Sequence, residues 1–346
     1  MSQDLPRPEL VWPGKYDAEG RRRRAPREPV PLVVAERYDT DPAPTWRNRL
    51  VRGDNLLVLA SLLPEHAGAV DLVYLDPPFA TGEDFGMDLE IGEAGRARPG
   101  RGPRGDAAYR DRWDHLGDYL SAMADRLELV RDLLAPHGSL YLHCDHRVEA
   151  HLRLLLEEVF GPDHVANVIS WCYTAPGNVT KWFPRRHDTI FLCTQSPAAE
   201  GRHTFNADAV RVPTSQHGQG RRGWSDEWDP EAQSNKGKIP EDWWADITPV
   251  GRLRNELVGY PTQKPEKLLR RIVEASSNPG DLVLDVYCGS GTTPAVAEQL
   301  GRRWIAADLG RRALQVTRTR LLDLPHRTSF EVAHLGDVER RRWAAA

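Results

Sequence analysis

Two stretches of the chain carry residue types that could do chemistry. The first, VDLVYLDPPF (70–79), is an apolar run that stops on an acid, two prolines and an aromatic. Proline cannot donate to a ladder and disfavours helical geometry at the residue before it. The strand therefore ends at Asp76, whose carboxylate is held at its C-terminal edge by a stiff backbone. In open α/β sheets that edge is where ligands bind. An acid, the rigid carbonyl of a proline and a ring stand side by side there. The second stretch, DVYCGSGTT (285–293), reads as a strand, a glycine turn and a helix. Gly289 and Gly291 let the backbone turn tightly and approach a ligand, and the helix that follows offers free N–H groups and the positive end of its dipole. The spacing matches neither G-x-G-x-x-G nor a Lys-bearing phosphate loop. The next strand, WIAAD, ends in Asp308, and an acid at that position commonly takes the ribose hydroxyls of an adenosine cofactor. A solvated strand end is the alternative for Asp308; its position favours the ligand.

The elements that must hold these residues alternate. A short strand to Val51, a turn at Gly53-Asp54 and a helix come first, and AVDLVYLD is a buried strand by length and β-branching. Leu120, Met123, Leu127, Val130 and Leu134 share one helical face that stops at Pro136-His137-Gly138. SLYLHCD is a strand, HRVEAHLRLLLEEVFG a helix, and NVISWCY and HDTIFLCTQ two more strands. The rhythm breaks over residues 198–255 and resumes with helix 264–276, strand 281–287, helix 292–300 and strand RRWIAADL. Repeated strand–helix alternation predicts an α/β doubly wound, mostly parallel sheet. Residues 91–105, rich in Gly and Arg, read as a mobile loop. Residues 1–47 are rich in Pro and Arg without periodicity, and GRRRRAPREP reads as a solvated arm.

Composition narrows the classes. A chain of 346 residues that is 40% hydrophobic can bury a sizeable core, and no apolar run approaches a membrane span or a signal peptide. A cytoplasmic location is expected. Net charge of −4 argues against a generally basic binder but leaves room for a local basic surface. Only six of the 46 basic residues are Lys, an Arg excess that fits a GC-rich genome better than a phosphate-binding specialisation. Cys144, Cys172, Cys193 and Cys288 show no CxxC pairing, so neither a zinc cluster nor a disulfide framework is expected. The HCDH run at 143–146 is read as pocket lining or a packed strand end rather than a metal site, and no metal is expected. Cys288 is expected to pack.

Taken in order, RGDNLLVL, LDPPFATGEDF, YRDRWDHLGDYL, GSLYLHCD, RRHDTIFL, WWADI, TQKP and DVYCGSGTT resemble the amino-methyltransferases that modify exocyclic amines in DNA. With DPPF first and the glycine loop last, the order is that of their β class, a circularly permuted group that includes type III modification subunits. The resemblance covers most of residues 48–320. It implies a Rossmann-like methyltransferase fold with S-adenosylmethionine as methyl donor. Gly289, Ser290 and Gly291 would lie against the donor's methionine part, Asp285 near its amino end, Tyr287 packed on it, Asp308 on the ribose and Asp54 at the adenine edge. Thr262, Gln263, Lys264 and Pro265 match the segment that closes over the donor. Residues 48–197 would form the catalytic half, 198–255 an inserted target-recognition region, 256–335 the cofactor-binding half and 336–346 a tail. Two chain positions depart from the family pattern: Ala80 stands where Asn is usual, and Val286-Tyr287 where Pro and Phe are common.

Such an activity explains the Asp-Pro-Pro-Phe corner. The lone pair of an exocyclic amine is delocalised into its base. Two acceptors, the Asp76 carboxylate and the Pro77 carbonyl, would draw its N–H bonds toward tetrahedral geometry and free that pair for in-line attack; Pro78 stiffens the corner and Phe79 offers a face for the base. A base inside a duplex is out of reach, so it must be flipped. Lys181, Arg185, Arg186, Arg221 and Arg222, with Trp182 and other aromatics nearby, are the candidate contacts to double-stranded DNA. Asp rather than Ser before the prolines favours adenine N6 over cytosine N4. A catalytically silent DNA-binding subunit is the rival from another class, opposed by the intact Asp76, Phe79, Gly289 and Gly291. The resemblance also allows a homodimer and a cognate restriction or defence subunit as partners.

Overall fold

Every residue of Val70–Leu75 is buried, and alternate side chains enter opposite cores. This strand lies inside a ten-stranded sheet. The computed structural model describes residues 9–81, 84–86, 89–90, 98–99, 107–111, 113–174, 179–213, 237–253 and 255–336. The strands are β1 (Leu32–Tyr38), β2 (Asn48–Arg52), β3 (Val70–Leu75), β4 (Asp84–Gly86), β5 (Leu89–Glu90), β6 (Arg98–Pro99), β7 (Ala107–Arg110), β8 (Leu134–Cys144), β9 (Val165–Cys172), β10 (His187–Thr194), β11 (Trp243–Trp244), β12 (Leu282–Asp285), β13 (Arg303–Asp308) and β14 (Phe330–Leu335). The helices are α1 (Asn55–His66), α2 (Leu116–Leu133), α3 (Glu149–Val159), α4 (Glu266–Ser276), α5 (Thr292–Gln299) and α6 (Arg311–Leu322). Spatial order in the main sheet is β1-β14-β2-β13-β12-β3-β8-β10-β9-β11, while β4 with β7 and β5 with β6 form two small antiparallel pairs.

From β14 to β8 all neighbours run parallel, and β10 then lies antiparallel between β8 and β9. One core lies under α1, α2 and α3 with Val73 and Leu75; the other lies under α4, α5 and α6 with Leu72 and Tyr74. The expected doubly wound α/β sheet is therefore present. β12, near the end of the chain, sits directly beside β3, near its beginning. The carboxyl ends of β2, β13, β12 and β3 consequently share one edge, where the direction of chain progression reverses. Parallel sheets bind ligands at such a point.

The N-terminal segment corrects the sequence expectation. From residue 9 onward it is anchored to the body through the buried Trp12, Lys15 and Ala25, while most of its residues stay exposed. The Lys15 ammonium donates to Glu9, the Leu10 carbonyl and Glu158 at 2.8, 2.8 and 2.9 Å, and Trp12 Nε1 donates to Ser121 Oγ at 2.8 Å. Arg22 pairs with Glu158 at 2.7 Å, Arg24 with Glu128 at 3.4 Å, and Arg27 with Asp132. β1 then pairs antiparallel with β14, adding two strands to the sheet that hydrophobic patterning did not disclose. Arg22, Arg24 and Arg27 tie the strap to acids on α2 and α3, while Arg21 pairs with Asp17 and Glu19 within the segment. The proposed mobile loop at 91–105 falls outside the described residues except for β6, and so does the tail beyond Gly336.

Candidate active site

At the shared edge lies a cavity of about 640 Å³. Asp76, Pro77, Pro78 and Phe79 line it beside Asp285, Tyr287, Gly289, Ser290 and Asp308, so the two chemical stretches meet although far apart in sequence. Asp54, Thr262, Gln263 and Lys264 complete the predicted lining. Gly291 does not reach it. Its φ of +73° makes it the turn into α5, and a Cβ there would stand 2.6 Å from Thr317 Oγ1, so this glycine serves packing and not ligand approach.

The corner after β3 is built by a residue the sequence reading did not single out. Asp111 is buried, and its carboxylate accepts the N–H groups of Phe79, Ala80 and Thr81 at 3.2, 2.8 and 3.0 Å and the Thr81 hydroxyl at 2.8 Å. Charged acceptors in such a nest make strong bonds. Together they hold Ala80 at φ +54°, a conformation costly for a Cβ-bearing residue that Asn or Gly adopts more readily.

Lys264 lines the cavity as expected of its segment, and its ammonium pairs with Asp76 Oδ2 and lies 5.5 Å from the Phe79 ring centroid. The segment that presents it is tied down locally. Gln263 accepts from Val258 N at 3.0 Å and donates to the Glu256 carbonyl at 2.7 Å, and Thr292 Oγ1 donates to the Lys264 carbonyl at 3.0 Å. Gln263 thus spends its amide on its own loop, where Thr262 takes φ +59°. Asp54 is likewise engaged, capping α1 through Leu56 N at 2.9 Å and meeting Arg126 at 3.3 Å.

On the glycine side, Asp308 accepts from Gly289 N at 3.0 Å and Gly310 N at 2.7 Å. Burial still pushes its carboxyl up to about 6. Asp285 accepts from Tyr287 N at 2.9 Å. Burial, reinforced by the charges of Asp76 and Asp308 and opposed by bonds from Thr293 and Tyr287 N, pushes it up to about 7. Asp54, Asp76, Asp111, Asp285 and Asp308 face the cavity against only Arg126 and Lys264 among its lining residues. A cation is what this lining would draw. A Cβ on Gly289, at φ +49°, would come 3.2 Å from the Tyr260 ring, so the close cradle there requires glycine. Cys288 is buried, and burial, with Asp308 and Asp285 nearby, pushes its thiol well up, which suits packing.

A buried polar network backs Asp76. His143 is fully buried; one ring nitrogen bonds the Tyr74 hydroxyl at 2.9 Å and the other Asp188 at 3.3 Å. Tyr173 donates to Asp188 at 2.9 Å. Burial opposes the Asp188 charge, yet the bond and charge of His143, with Lys264 and Tyr173, hold its carboxyl below the usual range. The His143 ring lies 5.8 Å from that of Phe79 and 4.0 Å from Asp76 Oδ1, a buried oxygen with no hydrogen-bond partner among the described residues. HCDH was visible as a motif, but only pairing of β10 with β8 brings Asp188 to it.

Among the candidate DNA contacts, Lys181 and Arg185 are exposed and Arg186, the residue before β10, is half-buried. Arg221 and Arg222 lie outside the described residues. The described ends of the 198–255 segment pack on the body through β11 and the buried Trp244, Ile247 and Val250.

A family model described as DNA methylase, of the N6/N4 amino-methyltransferases, matches residues 70–318. The DNA adenine methyltransferase YhdJ of Escherichia coli strain K12 is 30% identical over 82% of this chain and 86% of its own length. Two solved structures share the fold. TTHA0409 of Thermus thermophilus, complexed with S-adenosyl-L-methionine, is 21% identical with a TM-score of 0.50, covering 83% of this chain and 98% of that one. The PvuII DNA methyltransferase, cytosine-N4-specific, is 17% identical with a TM-score of 0.51 over 81% of this chain and 88% of its own.

Proposed function

The chain belongs to the N6/N4 DNA methylase family, and from that premise we propose that it methylates the N6 amine of adenine in double-stranded DNA, with S-adenosylmethionine as donor. One observation carries the reading: the amine-accepting corner 76–79 and the acidic glycine-loop wall border the same cavity of about 640 Å³. The residues fit the donor. Asp285 and Asp308, with carboxyls pushed up by burial, suit an ammonium and ribose hydroxyls, and Gly289 leaves the room a side chain would fill. When bound, the donor supplies an electrophilic methyl group on a sulfonium sulfur.

The chain's own residues do the rest. Asp76 and the Pro77 carbonyl accept the two N–H bonds of the amine, and Phe79 stacks the base. The Lys264 ammonium sits where one of those N–H groups is received, so the arriving amine exchanges one donor for another on Asp76. Asp111 fixes the corner, and the His143–Asp188 pair backs it. As the amine is methylated, its proton passes to Asp76 or to water. Lys181, Arg185 and Arg186, with Arg221 and Arg222 in the 198–255 segment, engage the DNA. Chain-wide, residues 48–197 and 256–335 act as catalytic and cofactor-binding halves around that segment. The same reading includes a second copy of the chain, or a cognate restriction or defence subunit, as further partners that native purification would retain. It also places the protein in the cytoplasm with its DNA; among the described residues no helix is long and apolar enough to cross a membrane.

Incubation with labelled donor and plasmid, followed by nucleoside analysis, tests the reading. N6-methyladenine is expected. N4-methylcytosine would redirect the base, and donor binding without transfer would indicate the silent subunit.

A further inference from the structure

The connection from β9 to β10 carries a pair of rings that the cavity does not use. Phe183 is 93% exposed and Trp182 62% exposed. Single exposed apolar residues are ordinary, but here two adjacent rings stand out between Lys181 and Arg185, and Pro184 stiffens the chain behind them. Rings interleaved with bases are the composition of a surface that meets nucleic acid.

Its place in the fold is specific. Because β10 is antiparallel to β8, the β9–β10 connection leaves the sheet at the edge where β3 and β8 end. Its base is fastened there: Tyr173 N donates to the Arg186 carbonyl at 2.9 Å, and the Tyr173 hydroxyl reaches Asp188, the partner of His143. The His143 ring in turn lies against Phe79. The rings are thus mounted on the frame that backs the base-accepting corner.

We propose that Phe183, supported by Trp182, is the wedge that enters the DNA stack and fills the gap left when the target base turns out into the 76–79 corner. This inference rests on the function proposed above. Extruding a base forfeits its stacking on both neighbours, and an apolar ring in the gap restores much of it. Lys181 and Arg185 meet the phosphates on either side. An exposed ring of this kind has no role in the core, which leaves its removal harmless to folding.

The test compares Phe183→Ala and Trp182→Ala with wild type on a matched duplex and on the same duplex carrying an abasic site opposite the target adenine, where extrusion costs less. Donor affinity and melting temperature of both variants should equal those of wild type. On the matched duplex kcat/KM of Phe183→Ala should fall by about ten- to a hundredfold, the scale of one base–aromatic stack, and the abasic duplex should recover most of it. Wild-type activity of Phe183→Ala on the matched duplex would overturn the wedge. So would an equal loss on both duplexes, or a shift from dimer to monomer in sedimentation, which would assign the rings to a second copy. A wild-type chain that methylates neither duplex would overturn the function itself, and the wedge with it.

Discussion

Replacing Asp285 with Asn should remove most of the pH dependence of donor binding. In the unliganded protein the Asp285 carboxyl is pushed up to about 7, first by burial and then by the charges of Asp76 and Asp308, and the Asp308 carboxyl is pushed up to about 6. An ammonium seated against Asp285 favours the carboxylate, so below pH 7 binding must first expel a proton. Affinity then falls about tenfold for each further pH unit. Between pH 7.5 and 5.5 the Asp285 contribution amounts to a weakening of about 25-fold, and that of Asp308 to about fourfold. The donor's own amino group stays mostly protonated over this window, since α-amino groups titrate near 7.7–8.0. Wild-type Kd should therefore rise at least 25-fold across it, and that of Asp285→Asn no more than about fourfold. Isothermal titration calorimetry in two buffers of different ionisation enthalpy would read both the affinity and the proton released. Stability of the unliganded protein carries the matching sign. Between about pH 4 and 7 the folded state keeps a proton that the unfolded chain has lost, so stability declines as pH rises through that range. A wild-type Kd unchanged within twofold from pH 5.5 to 7.5, or an equal slope in the variant, would refute the reasoning.

Other residues give sharper yes-or-no readouts. Asp76→Ala should lower methyl transfer by about a thousandfold or more while leaving donor affinity within a few fold, measured by label transfer and calorimetry; full activity would end the acceptor-pair mechanism. Asp111→Asn offers one acceptor oxygen to a nest of three N–H groups and a hydroxyl, and should cost about 2–3 kcal/mol in denaturant unfolding together with most of the activity. Ala80→Gly relieves the positive φ and should stabilise the protein by about 0.5–1 kcal/mol, seen as a small rise in melting temperature; a lower melting temperature would show that the Ala80 methyl contributes more by packing than its conformation costs.

The amino-acid sequence by itself determined where the strands stop and what stands at their ends. Asp76 is fixed directly before two prolines, which act on the backbone of the residue ahead of them; Asp285 closes an apolar run four residues before Gly289, and Asp308 closes another. Periodicity likewise placed α2 with Leu120, Met123, Leu127 and Val130 buried, and the alternation of elements gave the doubly wound class. Tertiary structure alone decided which groups those acids would meet. Lys264 reaches Asp76 across 188 residues of chain, Asp111 folds back beneath Ala80, and Asp188 arrives at His143 only through the register of β10 on β8. The Arg-rich N-terminal segment shows the same division, its charges plain in the sequence and its partners on α2 and α3 invisible there. Local rules fix conformation, whereas an ion pair depends on which distant surface the burial of two cores brings alongside.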